Sequence, residues 1–156
     1  MKIEMRRKDR QLTEEETIQL LEATEYGILS TVSEDGTPYG VPISFAFKDH
    51  CIYMHGAKAE GHKLRNVASN AEGCFTVVDH VQALPEKFST QYMSAIAFGK
   101  LQVVTEEKEK HGALEALIQK YSPDFYESGL AYIERAAANT TVIKLEVSHM
   151  TGKGRK

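Results

Sequence analysis

Cysteine is scarce in this chain: only Cys51 and Cys74 occur among 156 residues. Two thiols cannot build a disulfide framework or a four-thiolate zinc site, and both are expected to be buried in a cytoplasmic protein. No apolar run approaches the roughly 18 residues of a membrane span. The basic segment Met1 to Arg10 is not followed by the apolar stretch of a secretory signal, so no membrane role is expected. Neither sign of charge dominates. Nineteen Lys and Arg against 22 Asp and Glu leave a net charge of −3, which argues against a nucleic-acid partner. Familiar catalytic signatures are missing as well. There is no Walker loop and no Gly-x-Gly-x-x-Gly dinucleotide turn. His50, His55, His62 and His80 are dispersed, with no His-Glu-x-x-His or His-x-Glu with Cys-x-x-Cys, so no metal site is expected. His111 and His149 have no ligand pattern either and read as structural. No nucleophile–base spacing supports a hydrolase.

What is present fits one soluble domain spanning residues 1–156, with 42% hydrophobic and 26% charged residues. Thr13-Glu14-Glu15-Glu16 reads as a capping box. Ile18, Leu21 and Ala23 then follow at helical spacing until Gly27. From there the period drops to two. Strands are expected at Tyr26–Val32, Val41–Phe47, Cys51–His55, Gly73–Asp79, Gln91–Val104 and Thr140–Met150. Short helices are expected at His62–Ser69, from a cap at Thr105 through the apolar positions Leu114, Leu117, Ile118 and Tyr121 to a stop at Ser122-Pro123, and from Asp124 to about Arg135. Pro85 is expected in a long loop, and the tail Thr151–Lys156 as a mobile end or a cover over a site. Six closely spaced strands with helices at the margins predict a mainly β, α+β fold: a small antiparallel barrel with peripheral helices.

The most informative segment is Ile52 to Leu64, which runs from a strand through a glycine-bounded loop into a helix start. Backbone amides and the positive end of a helix converge there, with Lys58 between Gly56 and Gly61 and His62 and Lys63 just after them adding cations. A phosphate group suits that spot. A solvated turn with lysines facing water is the competing reading. His55, at a strand end, either bonds a neighbouring backbone group or lies at a pocket mouth. Ser30, Thr31 and Ser94 sit in apolar strands, where a hydroxyl pairs within the sheet or supplies one of a ligand's few polar contacts.

Five segments in chain order then resemble one family. They are Met5 to Arg10, Tyr26 to Thr31, Pro38 to Pro42, Ile52 to Ala57 with Gly61 to Leu64, and Thr151 to Lys153. Together they resemble the pyridoxamine-phosphate-oxidase-like flavoproteins, with closest similarity to the nitroimidazole-resistance reductases. The resemblance makes the barrel a six-stranded antiparallel split barrel, and implies that it binds FMN and works as a homodimer with flavin at the interface. It implies that the loop Lys58–Lys63 holds the flavin phosphate and that Val41, Pro42, Ile43 and Ser44 lie along the isoalloxazine ring. His55 matches a histidine proposed to act at the flavin, and the partner chain contributes from the strand of Tyr92 and Ser94. The Arg-x-His element that grips substrate phosphate in the oxidase itself is replaced here by Lys153-Gly154-Arg155-Lys156, which argues against vitamin-B6 oxidation. The expected activity is reduction of a small electrophile, such as a nitroaromatic, by a reduced nicotinamide. A non-catalytic flavin- or haem-binding dimeric module is the alternative. An apolar strip, Ala95, Ile96, Ala97 and Phe98, is the expected dimer surface, the competing reading being that it fills the chain's own core.

Overall fold

The computed structural model describes residues 3–57 and 61–155. Helix α1 (Glu14–Ala23) begins at the expected capping box: Thr13 Oγ1 accepts the Glu16 amide, and the Glu16 carboxylate accepts the Thr13 amide. It stops at Thr24, before Gly27, because Gly27 already belongs to the first strand, packed so closely on Phe75 that a side chain would collide with the ring.

Seven strands follow: β1 (Tyr26–Val32), β2 (Pro38–Ser44), β3 (Ala46–Lys48), β4 (Cys51–Ala57), β5 (Glu72–Leu84), β6 (Ser89–Val103) and β7 (Thr140–Arg155). They form one antiparallel sheet in the order β2-β1-β5-β6-β7-β4-β3. The count is seven instead of six because the expected strand Val41–Phe47 breaks at one residue. Phe45 alone separates β2 from β3, yet these lie at opposite edges of the sheet, so the sheet must curl until its edges meet. That is the split barrel.

The break has a cause outside the segment. Helix α3 (Glu107–Tyr121) ends beside Phe45, whose N–H donates to Tyr121 Oη at 3.0 Å. The Phe45 carbonyl accepts from Lys120 Nζ at 3.0 Å. Both backbone groups are satisfied by side chains, so neither strand ladder needs to continue through this residue. The ammonium lies 3.6 Å above the Phe45 ring. Desolvation there lowers the Lys120 ammonium to about 8.

Two cores result. Leu29, Phe45, Ile52, Met54, Phe75, Ala95, Ala97 and Leu145 fill the barrel. Cys51, Tyr53, Leu114, Leu117, Ile133 and Val142 pack the strands against α3 and α4 (Tyr126–Ala136). Successive β4 residues serve the two cores in turn, which is why Cys51 to Met54 are all buried. Tyr53 Oη donates to Glu109 at 2.8 Å and Lys144 Nζ lies 2.8 Å from the same carboxylate, pinning α3 to β4 and β7.

Four other expectations change. Pro85 lies in a one-turn 3₁₀ segment joining two long strands, because β5 and β6 pair all the way to Leu84 and Ser89. The tail is strand: Gly152, Lys153, Gly154 and Arg155 pair with Ala95, Ser94, Met93 and Tyr92. Helix α3 is capped at Glu106 without a side-chain bond, not at Thr105. Cys74 is half-buried, on the outer face of the sheet. Among the described residues no helix is long and apolar enough to cross a membrane.

Candidate functional site

Curling leaves the barrel unsealed on one side. β2 is laddered only to β1, so its other edge carries no strand partner. β4 pairs with β3 only from Cys51 to Tyr53, leaving the same edge of Met54 to Ala57 without one. The two strands approach each other here. Unpaired backbone donors and acceptors on both sides of a cleft are what the polar rim of a flat heteroaromatic ligand requires.

Helix α2 (His62–Ser69), with the bounds the sequence predicts, packs beside this opening. Its docking is specific. His62 and Asn66, one turn apart, meet Tyr39 and Thr31, which are cross-strand partners. The His62 ring stacks on Tyr39 at 4.3 Å with its Nε2 2.9 Å from Ser33 Oγ. Asn66 Nδ2 donates to Thr31 Oγ1 at 3.0 Å in a buried contact. On the neighbouring face Val67 enters the barrel core and Lys63 reaches β4.

Lys63 is the focus of the site. A Cβ added to Gly56 would stand 3.2 Å from Lys63 Nζ, so the ammonium rests over the bare backbone of Gly56. The α2 N-terminus beside it is capped by Gly61, which has no side chain to occupy the first amides. An ammonium and helix amides that no side chain among the described residues caps therefore share one region, a setting suited to a phosphate. Lys58 lies outside the described residues.

His55 precedes Gly56 on β4 and pairs with Val142. It remains largely open to solvent. Partial desolvation at the strand end, and then the Lys63 charge, hold its imidazole below the ordinary histidine value. Both causes favour the neutral imidazole over the charged one.

The other expected residues divide by face. Val41 and Ile43 are half-buried and pack against the barrel core, whereas Pro42 and Ser44 point outward and are exposed. Thr31 is buried and spends its hydroxyl on Asn66. Ser30 belongs to the outer face, in a row across five strands: Gly40, Ser30, Cys74, Phe98, His149. The next row is Pro42, Ile28, Thr76, Ile96, Thr151. Ser94 and Tyr92 continue that face opposite Lys153 and Arg155. Burial alone would raise the Tyr92 phenol, but hydrogen bonds from Lys153 and Arg10 outweigh it and lower the value. Of the strip Ala95 to Phe98, the two alanines fill the barrel core and only Ile96 and Phe98 face outward. Tyr39, Asn66, Lys120 and Tyr121 were not legible as site or support residues; only their three-dimensional partners reveal them.

A family model described as pyridoxamine 5'-phosphate oxidase matches residues 13–154. Among functionally curated proteins no significant sequence match is found. Solved structures are similar over nearly the whole chain. A candidate 5-nitroimidazole antibiotic resistance protein from Bacteroides thetaiotaomicron is 24% identical, with a TM-score of 0.79 over 92% of this chain and 85% of that one. A conserved hypothetical protein from Mycobacterium tuberculosis is 15% identical, with a TM-score of 0.82 over 97% and 90%. An FAD and heme binding protein from Mycobacterium smegmatis is 25% identical, with a TM-score of 0.80 over 94% and 74%.

Proposed function

The chain belongs to the pyridoxamine 5'-phosphate oxidase family, and from that premise we propose that it is an FMN-binding oxidoreductase that passes electrons from a reduced nicotinamide to a small electrophile such as a nitroaromatic. One observation carries the reading: the Lys63 ammonium over the bare Gly56 backbone, beside a helix N-terminus whose cap, Gly61, has no side chain, and at the unpaired edge of β4. The bare glycine and the cation fit a phosphate, and the open edges fit the rim of a flavin ring. In this reading Lys63, Gly61 and the first α2 amides hold the phosphate. The backbone of β2 from Val41 to Ser44 and of β4 at His55 and Gly56 aligns the ring. His62 fixes α2 by stacking on Tyr39 instead of touching phosphate itself.

When bound, the flavin supplies hydride and electron transfer between donor and acceptor. The chain supplies orientation, a cationic anchor, and at His55 a neutral imidazole able to accept or return a proton at Nδ1 or Nε2. The similarity to an FAD and heme binding protein favours a second reading, a flavin- or haem-carrying module without turnover.

The same proposal includes a homodimer through the outer sheet face. Two rows across its five strands carry Ile28, Ile96 and Phe98, which are half-buried. The β5–β6 hairpin continues past them with Val81 63% and Phe88 97% exposed. A partner seated on this face would cover those apolar side chains, and Tyr92 and Ser94 would then reach the partner's cleft. Purified protein titrated with FMN tests the reading: a flavin spectrum with steady reduced-nicotinamide consumption on adding a nitroaromatic supports it. A flavin spectrum without turnover, or a Soret band, favours the carrier.

A further inference from the structure

The free edge of β2 is central to the flavin reading, and its position depends on the path of the chain through Phe45. That path is not held by a ladder. The Phe45 N–H donates to Tyr121 Oη and its carbonyl accepts from Lys120 Nζ, each at 3.0 Å. Tyr121 Oη also lies 3.1 Å from the Phe45 carbonyl and bonds the Glu25 carbonyl. A phenol has one proton to donate, so with Glu25 taking it Lys120 is the dependable donor to Phe45. The Phe45 side chain is fully buried against Phe75, with ring centroids 4.6 Å apart. Side chain, N–H and carbonyl are thus each fixed. Holding an ammonium there goes against its desolvation, which lowers its pKa, yet the lysine side chain is folded onto the ring. Lys120 and Tyr121 are the last residues of α3.

We propose that Lys120 and Tyr121 are positioning residues for the flavin: they clamp the Phe45 backbone and thereby fix the unpaired edge of β2 that lines the cleft. The proposal rests on the flavin reading. Without the clamp, β2 must be ordered at the moment of binding, and that ordering is subtracted from affinity. Loss of one hydrogen bond at a buried carbonyl corresponds to about a tenfold change in the equilibrium it governs.

The test uses the full chain and three variants. Lys120→Met keeps the apolar stem on Phe45 and removes the donor, Tyr121→Phe removes only the hydroxyl, and Lys120→Arg restores donor and charge. Amide hydrogen exchange of Tyr39 to Ser44 is measured without cofactor, and FMN affinity by fluorescence quenching. Lys120→Met and Tyr121→Phe are expected to speed β2 exchange and weaken FMN, each by about tenfold, while β5 and β6 keep their protection. Lys120→Arg is expected to recover most of both. Wild-type exchange in β2 would overturn the clamp, and so would acceleration spread evenly over all strands. Faster β2 exchange with unchanged FMN affinity would overturn the positioning role. Failure of the unaltered chain to bind FMN would sink the flavin reading alone, because the exchange rates still decide whether the clamp exists.

Discussion

Replacing Lys63 by methionine removes one ammonium and leaves most of the side-chain volume. The structure says what that should do to two separate quantities. Lys63 Nζ lies over Gly56, beside helix amides that no side chain at Gly61 can cap. A charge-assisted hydrogen bond to a phosphate is worth roughly 1.5–3 kcal/mol, so FMN affinity should fall about ten- to a hundredfold. Riboflavin has no phosphate, and its affinity should not change. The second quantity is the titration of His55. Desolvation and then Lys63 hold its imidazole below the ordinary value of 6.5. Deleting the charge removes the second cause and leaves the first, so the His55 pKa should rise in Lys63→Met while staying under 6.5. Fluorescence titration with both ligands and NMR titration of the histidine ring in cofactor-free protein measure the two effects. Equal losses for FMN and riboflavin would refute the phosphate assignment. An unmoved His55 titration would refute the placement of the ammonium beside the strand end, whatever happens to the ligands.

His55→Ala should keep FMN bound and lower the reductase rate by roughly tenfold or more, the low side of general acid–base effects; a folded, yellow variant turning over at the wild-type rate would remove the proton role. Ile96→Asp places a carboxylate at the centre of the outer face, and sedimentation should show a 17.4 kDa monomer in place of the dimer. A dimer of unchanged stability would move the interface elsewhere. The Glu109 carboxyl is held below its ordinary value of 4.5, first by Lys144 and with help from Tyr53. Its folded value is depressed, so it stabilises the chain above 4.5 and that contribution is lost as pH falls through the lower folded value. Thermal melts should therefore lose more stability below pH 4.5 in the wild type than in Glu109→Gln, and parallel pH curves would show that the contact contributes nothing.

The strands and the first helices were legible because their signals are local. Thr13 and Glu16 form their capping box with each other, and the bounds of β1 and α2 follow from alternation and glycine punctuation. The meeting of Lys63 with Gly56 was legible for a related reason: Gly56, Gly61, His62 and Lys63 are near in sequence, and the backbone needs no distant partner to bring them together. These residues nevertheless sort into roles the sequence does not separate. Lys63 turns to the bare strand while His62, one residue earlier, turns away to stack on Tyr39, because successive helical residues point about 100° apart.

Phe45 shows where local signals run out. Val41, Ile43, Phe45 and Phe47 alternate as one strand should, and nothing in that stretch marks an interruption. The interruption comes from Lys120 and Tyr121, about 75 residues later. Tyr121 was legible only as an apolar position of α3; its hydroxyl serves a different chain segment from its ring. The closing strand misled in the opposite way. Thr151 to Arg155 is polar and glycine-rich, which reads as a mobile end, yet the row it joins is already ordered by β6. Gly152 and Gly154 are buried there because Leu12 and Thr17 pack where a side chain would stand. In both segments the backbone follows hydrogen-bond partners supplied from elsewhere in the barrel, and the cleft between β2 and β4 exists because those partners pull the two halves of one alternating run to opposite edges of a single sheet.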